Sequence, residues 1–238
     1  MKTMSKEETI VEHLTEFRKR LILVLFYFLV SFLGSLLLAS EIYLLLTSQF
    51  SQKLIVLGPD DILWIYIQLA SISSLVWTLP FMVYQIWAFV RPALTKKEAR
   101  ALLTYVPASF LCFVGGLAVG FFVVMPSLLD VLLSLGDGLF DIQITAKNYL
   151  VFVLHICIPV ACLFELPVLV AFLTQVSILT PYFLIKYRRY AYFILLFIAV
   201  SITPADIVSD IIMTLPLILL YELSILVSWL IWKRRKGV

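Results

Sequence analysis

The sequence predicts an all-α, polytopic membrane protein with six transmembrane helices, the last two short, and both termini in the cytoplasm. Three observations carry that expectation. First, 63% of the 238 residues are hydrophobic and the mean hydropathy is +1.07, whereas soluble domains are nearer half apolar. Second, the apolar residues fall in continuous runs of about twenty, the length that crosses a hydrocarbon core of about 30 Å. Continuous rather than alternating runs select helices over a barrel. Third, the basic residues are sorted to one side of those runs. A single helical bundle over 1–238 is expected.

The elements follow in order. Residues 1–20 are polar, and Val11, Leu14, Phe17 and Leu21 share one helical face, opposite Glu12, Glu16, Lys19 and Arg20. This predicts an interfacial helix over 8–20 that lies along the membrane before turning into it. Mixed charge precedes the first apolar run and no small-residue cleavage site follows it, so the N-terminus is not expected to be a cleaved signal. Span one is expected over about 21–39. Residues 40–62 lead to span two, about 63–90, rich in Trp and Tyr and broken by Pro80. A charged collar at 91–100 precedes span three, about 101–126, with Pro107 inside it. Gly116 and Gly120, four apart, offer a face where another helix can approach closely.

Residues 127–148 read as a loop, with Asp130, Asp137, Asp141 and Lys147 around Gly136 and Gly138. Span four is expected over about 149–176, with Pro159 and Pro167. A basic turn, Lys186, Arg188 and Arg189, leads to span five, about 190–202. Its thirteen residues cover only about 20 Å, short of a normal bilayer. Span six, about 211–232, includes Pro216 and ends at Lys233, Arg234, Arg235 and Lys236.

Six spans put both termini on one side. Sixteen of the 18 Lys and Arg then lie on that side, and only Lys53 and Lys147 on the other. The positive-inside rule makes the first side cytoplasmic. A five-span arrangement that fuses the last two runs leaves the C-terminal KRRK outside.

The residue types exclude several chemistries. Cys112, Cys157 and Cys162 lie in apolar runs without disulfide or zinc spacing, and read as small buried hydrophobes. His13 and His155 are isolated from any metal-ligand spacing, and His155 reads as a core or loop-proximal side chain. The expectation is therefore no enzyme, no catalytic residue, no metal, no cofactor and no nucleic-acid partner.

The acids are more informative. Glu165 (CLFELPVLV) lies at mid-depth in span four, two residues before Pro167. Glu222 (LLYELSILV) lies about ten residues from the cytoplasmic KRRK. An ionisable group inside the membrane costs a few kcal/mol on insertion scales, so it usually faces protein or water. The bland reading of both is a protonated carboxyl donating a hydrogen bond inside the bundle. The functional reading is a polar contact for a partner helix, or a proton-linked site. Asp206 and Asp210 follow Thr203-Pro204 at the external end of the short spans. Helix capping and turn chemistry explain them as well as a functional role does.

Two acids sit inside basic collars. Glu16 lies beside Arg18, Lys19 and Arg20, and Glu98 lies among Arg91, Lys96, Lys97 and Arg100. Ion pairing along a helix surface, Glu16 with Arg20 at i+4, is one explanation. The other is a pair of carboxylates presented to a cationic ligand, for which a guanidinium fork is well matched.

Four stretches carry a family resemblance. HLTEFRKRL (13–21), YQIWAFVRPALTKKEAR (84–100), FELPV (164–168) and SITPAD (201–206) occur in order and resemble the TatC family. That family is the polytopic receptor subunit of the twin-arginine protein translocase. The resemblance covers nearly the whole chain. It implies a receptor that binds the twin-arginine signal peptides of folded cargo at the cytoplasmic face. It also implies assembly with single-span partners of the TatA/TatB type, and with copies of itself, in the cell membrane. Folded proteins would then be exported using the proton gradient. Glu16 and Glu98 match the acids that recognise the two arginines, and Arg18 and Phe89 match positions beside them. Glu165 matches an intramembrane acid on a concave face. Thr203 and Asp210 match positions near polar contacts to single-span partners, and Asp206 an acid in the external turn. Departures are Gln49, where proline is common, Asp210, where Gln is common in some members, and a short C-terminal tail.

Other readings remain open at this point. A proton-coupled small-solute transporter using Glu165 predicts internal pseudo-symmetry, which the sequence does not display. An intramembrane hydrolase needs a Ser–His or metal constellation, and His155 has no evident partner. A pure scaffold differs from a receptor by lacking signal-peptide binding.

Overall fold

The computed structural model describes residues 6–47, 54–91, 96–136, 143–203 and 206–236, and within them not the side chains of 6–13, 90, 96–104, 136, 235 and 236. Gln49, Lys53, Asp137, Gly138, Asp141 and Pro204 therefore lie outside the described residues, as do the side chains of Glu12, His13 and Glu98. The described elements are helices joined by turns, with one isolated backbone bridge. They fall into two compact units, Met1–Lys53 with Leu57–Ala99, and Leu54–Val56 with Arg100–Val238.

The first unit holds α1 (Lys6–Leu37), α2 (Ala39–Thr47) and α3 (Pro59–Val90). No turn separates 8–20 from the first span: the segment expected to be a distinct interfacial helix is the opening of one 32-residue helix. The reason is local, since neither Gly nor Pro occurs before Gly34 to interrupt it. Part of the expected 40–62 linker is also helical, as α2. At the start of α3, Gly58 is extended, Pro59 occupies the first turn, and Asp60 and Asp61 follow. Proline lacks the N–H that goes unused there, and the two carboxylates complement the helix dipole. Pro80, expected to break span two, sits inside continuous helix; spans tolerate proline where neighbours re-satisfy the freed backbone groups. α1 and α3 run antiparallel. Tyr27 stacks on Phe81 with centroids 4.4 Å apart, and Phe17 meets Phe89 edge to face at 5.9 Å.

The second unit begins along α4 (Lys96–Val119), passes through a π-helical turn at Gly120–Val124, and continues as α5 (Met125–Gly136). The loop expected from 127 is thus helical as far as Gly136. The π turn has a cause in the sequence. Pro126 brings no N–H and crowds the preceding turn, and the Met125 N–H reaches back five residues to the Gly120 carbonyl. Gly116 and Gly120 do mark a close approach. A Cβ on Gly116 would lie 2.7 Å from the Ala161 Cα, and one on Gly120 3.1 Å from the Cys157 Cα. Both partners belong to α6 (Ala146–Leu163), whose first turn is capped by Thr145 Oγ1 accepting from the Asn148 N–H at 3.3 Å.

α7 (Leu166–Gln175) follows after a two-residue break at Phe164 and Glu165. It ends with Ser177 at φ 66°. The Ile178 N–H bonds to the Leu173 carbonyl at 2.9 Å, and the Ser177 N–H to Thr174 at 3.1 Å, the hydrogen-bond pattern of a Schellman end. Then come α8 (Pro181–Lys186), α9 (Arg188–Ile202) and α10 (Ile207–Lys236). α10 lies against α7, with Thr174 Oγ1 and Ser228 Oγ 2.7 Å apart in the buried seam.

Apolar side chains both fill the interior, Phe113, Leu128 and Tyr149 among them, and cover the exterior. Ser74, Ser109, Ser224 and Ser228 are buried, while Leu33, Phe122, Phe193 and Phe197 are exposed. Helices that are apolar on their outward faces as well as their inward ones, with small polar residues in the packed seams, suit a lipid surround. Among the described residues, five helical segments are long and apolar enough to cross a membrane: Leu14–Leu37, Pro59–Phe89, Tyr105–Leu135, Ala146–Gln175 and Ile207–Arg234. The run expected at 190–202 is α9, whose 15 residues reach about 22 Å.

Candidate functional site

In the first unit, Glu16 and Phe17 of α1 face Gln85 and Phe89 of α3. Arg20 ties the two helices together. Its Nη2 and Nε donate to Glu16 Oε1 at 2.6 and 3.1 Å, and its Nη1 donates to Gln85 Oε1 at 3.1 Å. Arg20 and Gln85 edge a cleft of about 290 Å³ whose remaining lining is apolar: Phe17, Leu21, Val24, Met82, Ile86 and Phe89. The one-turn spacing of Glu16 and Arg20 makes the pair, and the parallel spacing of Gln85 and Phe89 on α3 supplies the facing half. Phe89 lines the cleft, and Glu16, which does not, is tied to its edge through Arg20. Arg18 is exposed on α1 and does not line the cleft. The backbone of Glu98 lies in the first turn of α4.

In the second unit, Glu165 occupies the break between α6 and α7, where Pro167 interrupts the backbone ladder. Ser109 Oγ donates to Glu165 Oε2 at 2.6 Å. The other oxygen, Oε1, is buried and has no hydrogen-bond partner among the described residues. Such an atom invites a proton or an incoming donor.

Glu222 departs from its expectation as a protonated donor within the bundle. Arg188 Nη2 lies 2.9 Å from its Oε2, and the Tyr192 hydroxyl donates to its Oε1. The two helices turn back on each other closely enough for the basic turn before α9 to reach α10, so the carboxylate is ion-paired.

At the opposite end of the same hairpin, Thr203 Oγ1 donates to Asp210 Oδ1 at 2.6 Å and stands 2.9 Å from the Ala199 carbonyl. Asp206 caps α10, accepting from the Ser209 N–H at 2.8 Å. That backbone hydrogen bond holds its carboxyl below the usual carboxylate range. Asp210 and Thr214 are the polar points of an otherwise apolar cleft of about 630 Å³ between α9 and α10. Thr214 Oγ1 has no partner among the described residues.

The remaining candidates are ordinary. Cys157 is buried as expected, Cys112 is half-buried, and Cys162 is exposed on the apolar surface. His155 is exposed rather than in the core. No group of three His, Cys, Asp or Glu suited to a metal ion occurs among the described residues.

Residues 12–216 match the model of the family described as Sec-independent protein translocase protein (TatC). The chain belongs to the TatC family. TatCd of Bacillus subtilis is 40% identical over 233 residues, covering 98% of this chain and 96% of that protein. TatC of Halalkalibacterium halodurans is 34% identical, covering 96% and 92%. A crystal structure of the twin-arginine translocase receptor TatC superposes with a TM-score of 0.81 at 31% identity, covering 92% of this chain and 99% of that one. The protein is thus a membrane-embedded component of the Sec-independent translocase and not an enzyme.

Within this TatC chain, several partners were not visible to sequence reasoning. Gln85, Ser109, Arg188 and Tyr192 each contact one of the highlighted acids or Arg20 across 30 or more residues. Only Gln85 carried a signal, as an amide in an aromatic run one turn before Phe89.

Proposed function

We propose that this chain is the receptor that captures twin-arginine signal peptides at the cytoplasmic face of the cell membrane. Glu16 and Glu98 are the carboxylates that receive the two arginines. The observation that carries the reading is the engagement of Glu16. Its carboxylate already holds a guanidinium, beside an apolar cleft that suits the neighbouring side chains of a peptide. Charge-assisted fork geometry favours arginine there over lysine. Phe89 forms the cleft wall, and Arg18 acts from outside the cleft. The chain spans the membrane six times with both termini in the cytoplasm, α9 being the short fifth span.

Glu165 and the external hairpin serve later stages. The unpartnered Glu165 oxygen and the Asp210–Thr214 cleft offer polar contacts to single-span partner helices and to further copies of this chain. Thr203 orients Asp210, and Asp206 fixes the turn. Transport of folded cargo then draws on the proton gradient. The reading as a small-solute transporter gains no specific observation.

A photo-crosslinking residue at Ile86, which lines the cleft, tests this directly. It captures a twin-arginine signal peptide and not its twin-glutamine counterpart. Equal capture of both peptides, or of neither, would overturn the assignment.

A further inference from the structure

We propose that Arg20 is a built-in competitor for the signal peptide: its guanidinium fills Glu16 in the empty receptor and passes to Gln85 when a peptide arginine arrives. This rests on the signal-peptide reading of Glu16 above and adds what sets its selectivity.

The geometry divides one guanidinium between two acceptors. Two donors go to Glu16 Oε1, at 2.6 and 3.1 Å, and a third goes to Gln85 Oε1 at 3.1 Å. Arginine has five donors in a rigid fork, so losing the Glu16 contacts leaves it still anchored. Gln85 is 9% exposed and fixed on α3, and it is the other polar residue of the cleft lining, so it is the natural second station. The pair with Glu16 is weak enough to yield. Its side chains are 24% and 34% exposed, and ion pairs of that kind shift an equilibrium by about fivefold at most. A bidentate arginine displaces it, whereas a lysine, a compact point charge without the fork, competes poorly. The resident guanidinium therefore acts as a threshold that a ligand must match in kind.

A purely structural Arg20, stapling α1 to α3, predicts different behaviour. The test is the dissociation constant of twin-arginine and twin-lysine peptides for the full chain in nanodiscs. Arg20→Met keeps the apolar stem and removes the fork. It is expected to bind the twin-arginine peptide about two- to fivefold more tightly and to discriminate less against twin-lysine. In a Glu16→Gln background the same change is expected to have no effect, which separates displacement from general charge repulsion. Gln85→Leu is expected to weaken binding about two- to fivefold by removing the second station. Unchanged or weaker twin-arginine binding by Arg20→Met overturns the proposal, as does tightening that persists with Glu16→Gln. If Arg20→Met does not fold, Arg20→Lys decides, since it keeps the charge without the fork: tighter binding supports the competitor, and equal or weaker binding refutes it. If Glu16→Gln alone leaves wild-type affinity intact, the signal-peptide reading itself fails instead.

Discussion

Arg188 and Glu222 form an ion pair of 2.9 Å between the first residue of α9 and the middle of α10. Tyr192 donates to the second carboxylate oxygen. The hairpin is therefore closed at one end by this cluster and at the other by Thr203 and Asp210. Both members of the ion pair are more than a third exposed, so its contribution is modest. Glu222→Ala is expected to reduce unfolding free energy in detergent by about 1 kcal/mol. Glu222→Gln, which keeps an acceptor for Tyr192, should cost less. Denaturant titration of both variants checks the order.

Ser177 holds a left-handed backbone, φ 66°, at the end of α7. A side chain there carries a steric cost of about 1 kcal/mol that glycine avoids. Ser177→Gly is expected to raise the unfolding free energy by roughly that amount, read from the same titration. Destabilisation would mean that the serine hydroxyl outweighs the relief.

Five of the apolar spans and the close approach at Gly116 and Gly120 were legible because each depends on a local pattern: apolar length or small-residue spacing. Ser109 and Arg188 were not legible as partners of Glu165 and Glu222. Hydrophobic periodicity marks which residues face inward, but not which one meets another 56 or 34 positions away. The segment after Pro126 was misread because Asp130 and the two glycines resemble loop chemistry. Its leucines nevertheless continue the helix beyond the π turn. The i+4 arithmetic that offered Arg20 as the partner of Glu16 was correct, and it is this pairing that the structure displays.

Asp206 gives a pH signature. Its carboxyl is held below the ordinary range by the Ser209 N–H, so the cap is at full strength above the unfolded value of about 3.9 and is lost as pH falls through the lower folded value. Asn caps about as well as Asp without titrating. Thermal unfolding between pH 7 and 3 should show the wild type losing ground relative to Asp206→Asn below about pH 4, while Asp206→Ala is weaker at neutral pH. Parallel curves for wild type and Asp206→Asn would contradict the cap.

α9 has 15 residues, about 22 Å against a core of about 30 Å. On the proposed six-span reading, this mismatch is expected to thin the bilayer locally or to recruit partner helices that shield it. Four apolar residues added to α9 should impair export of folded cargo and leave peptide affinity unchanged. Full export by that variant would remove the role given to the short span.

The most direct measurement is the dissociation constant of a twin-arginine signal peptide for the Glu16→Gln, Glu98→Gln double variant in nanodiscs. Partly exposed charge pairs contribute up to about 1 kcal/mol each, so losing both predicts affinity about ten- to thirtyfold weaker than wild type. Wild-type affinity in the double variant would contradict the account.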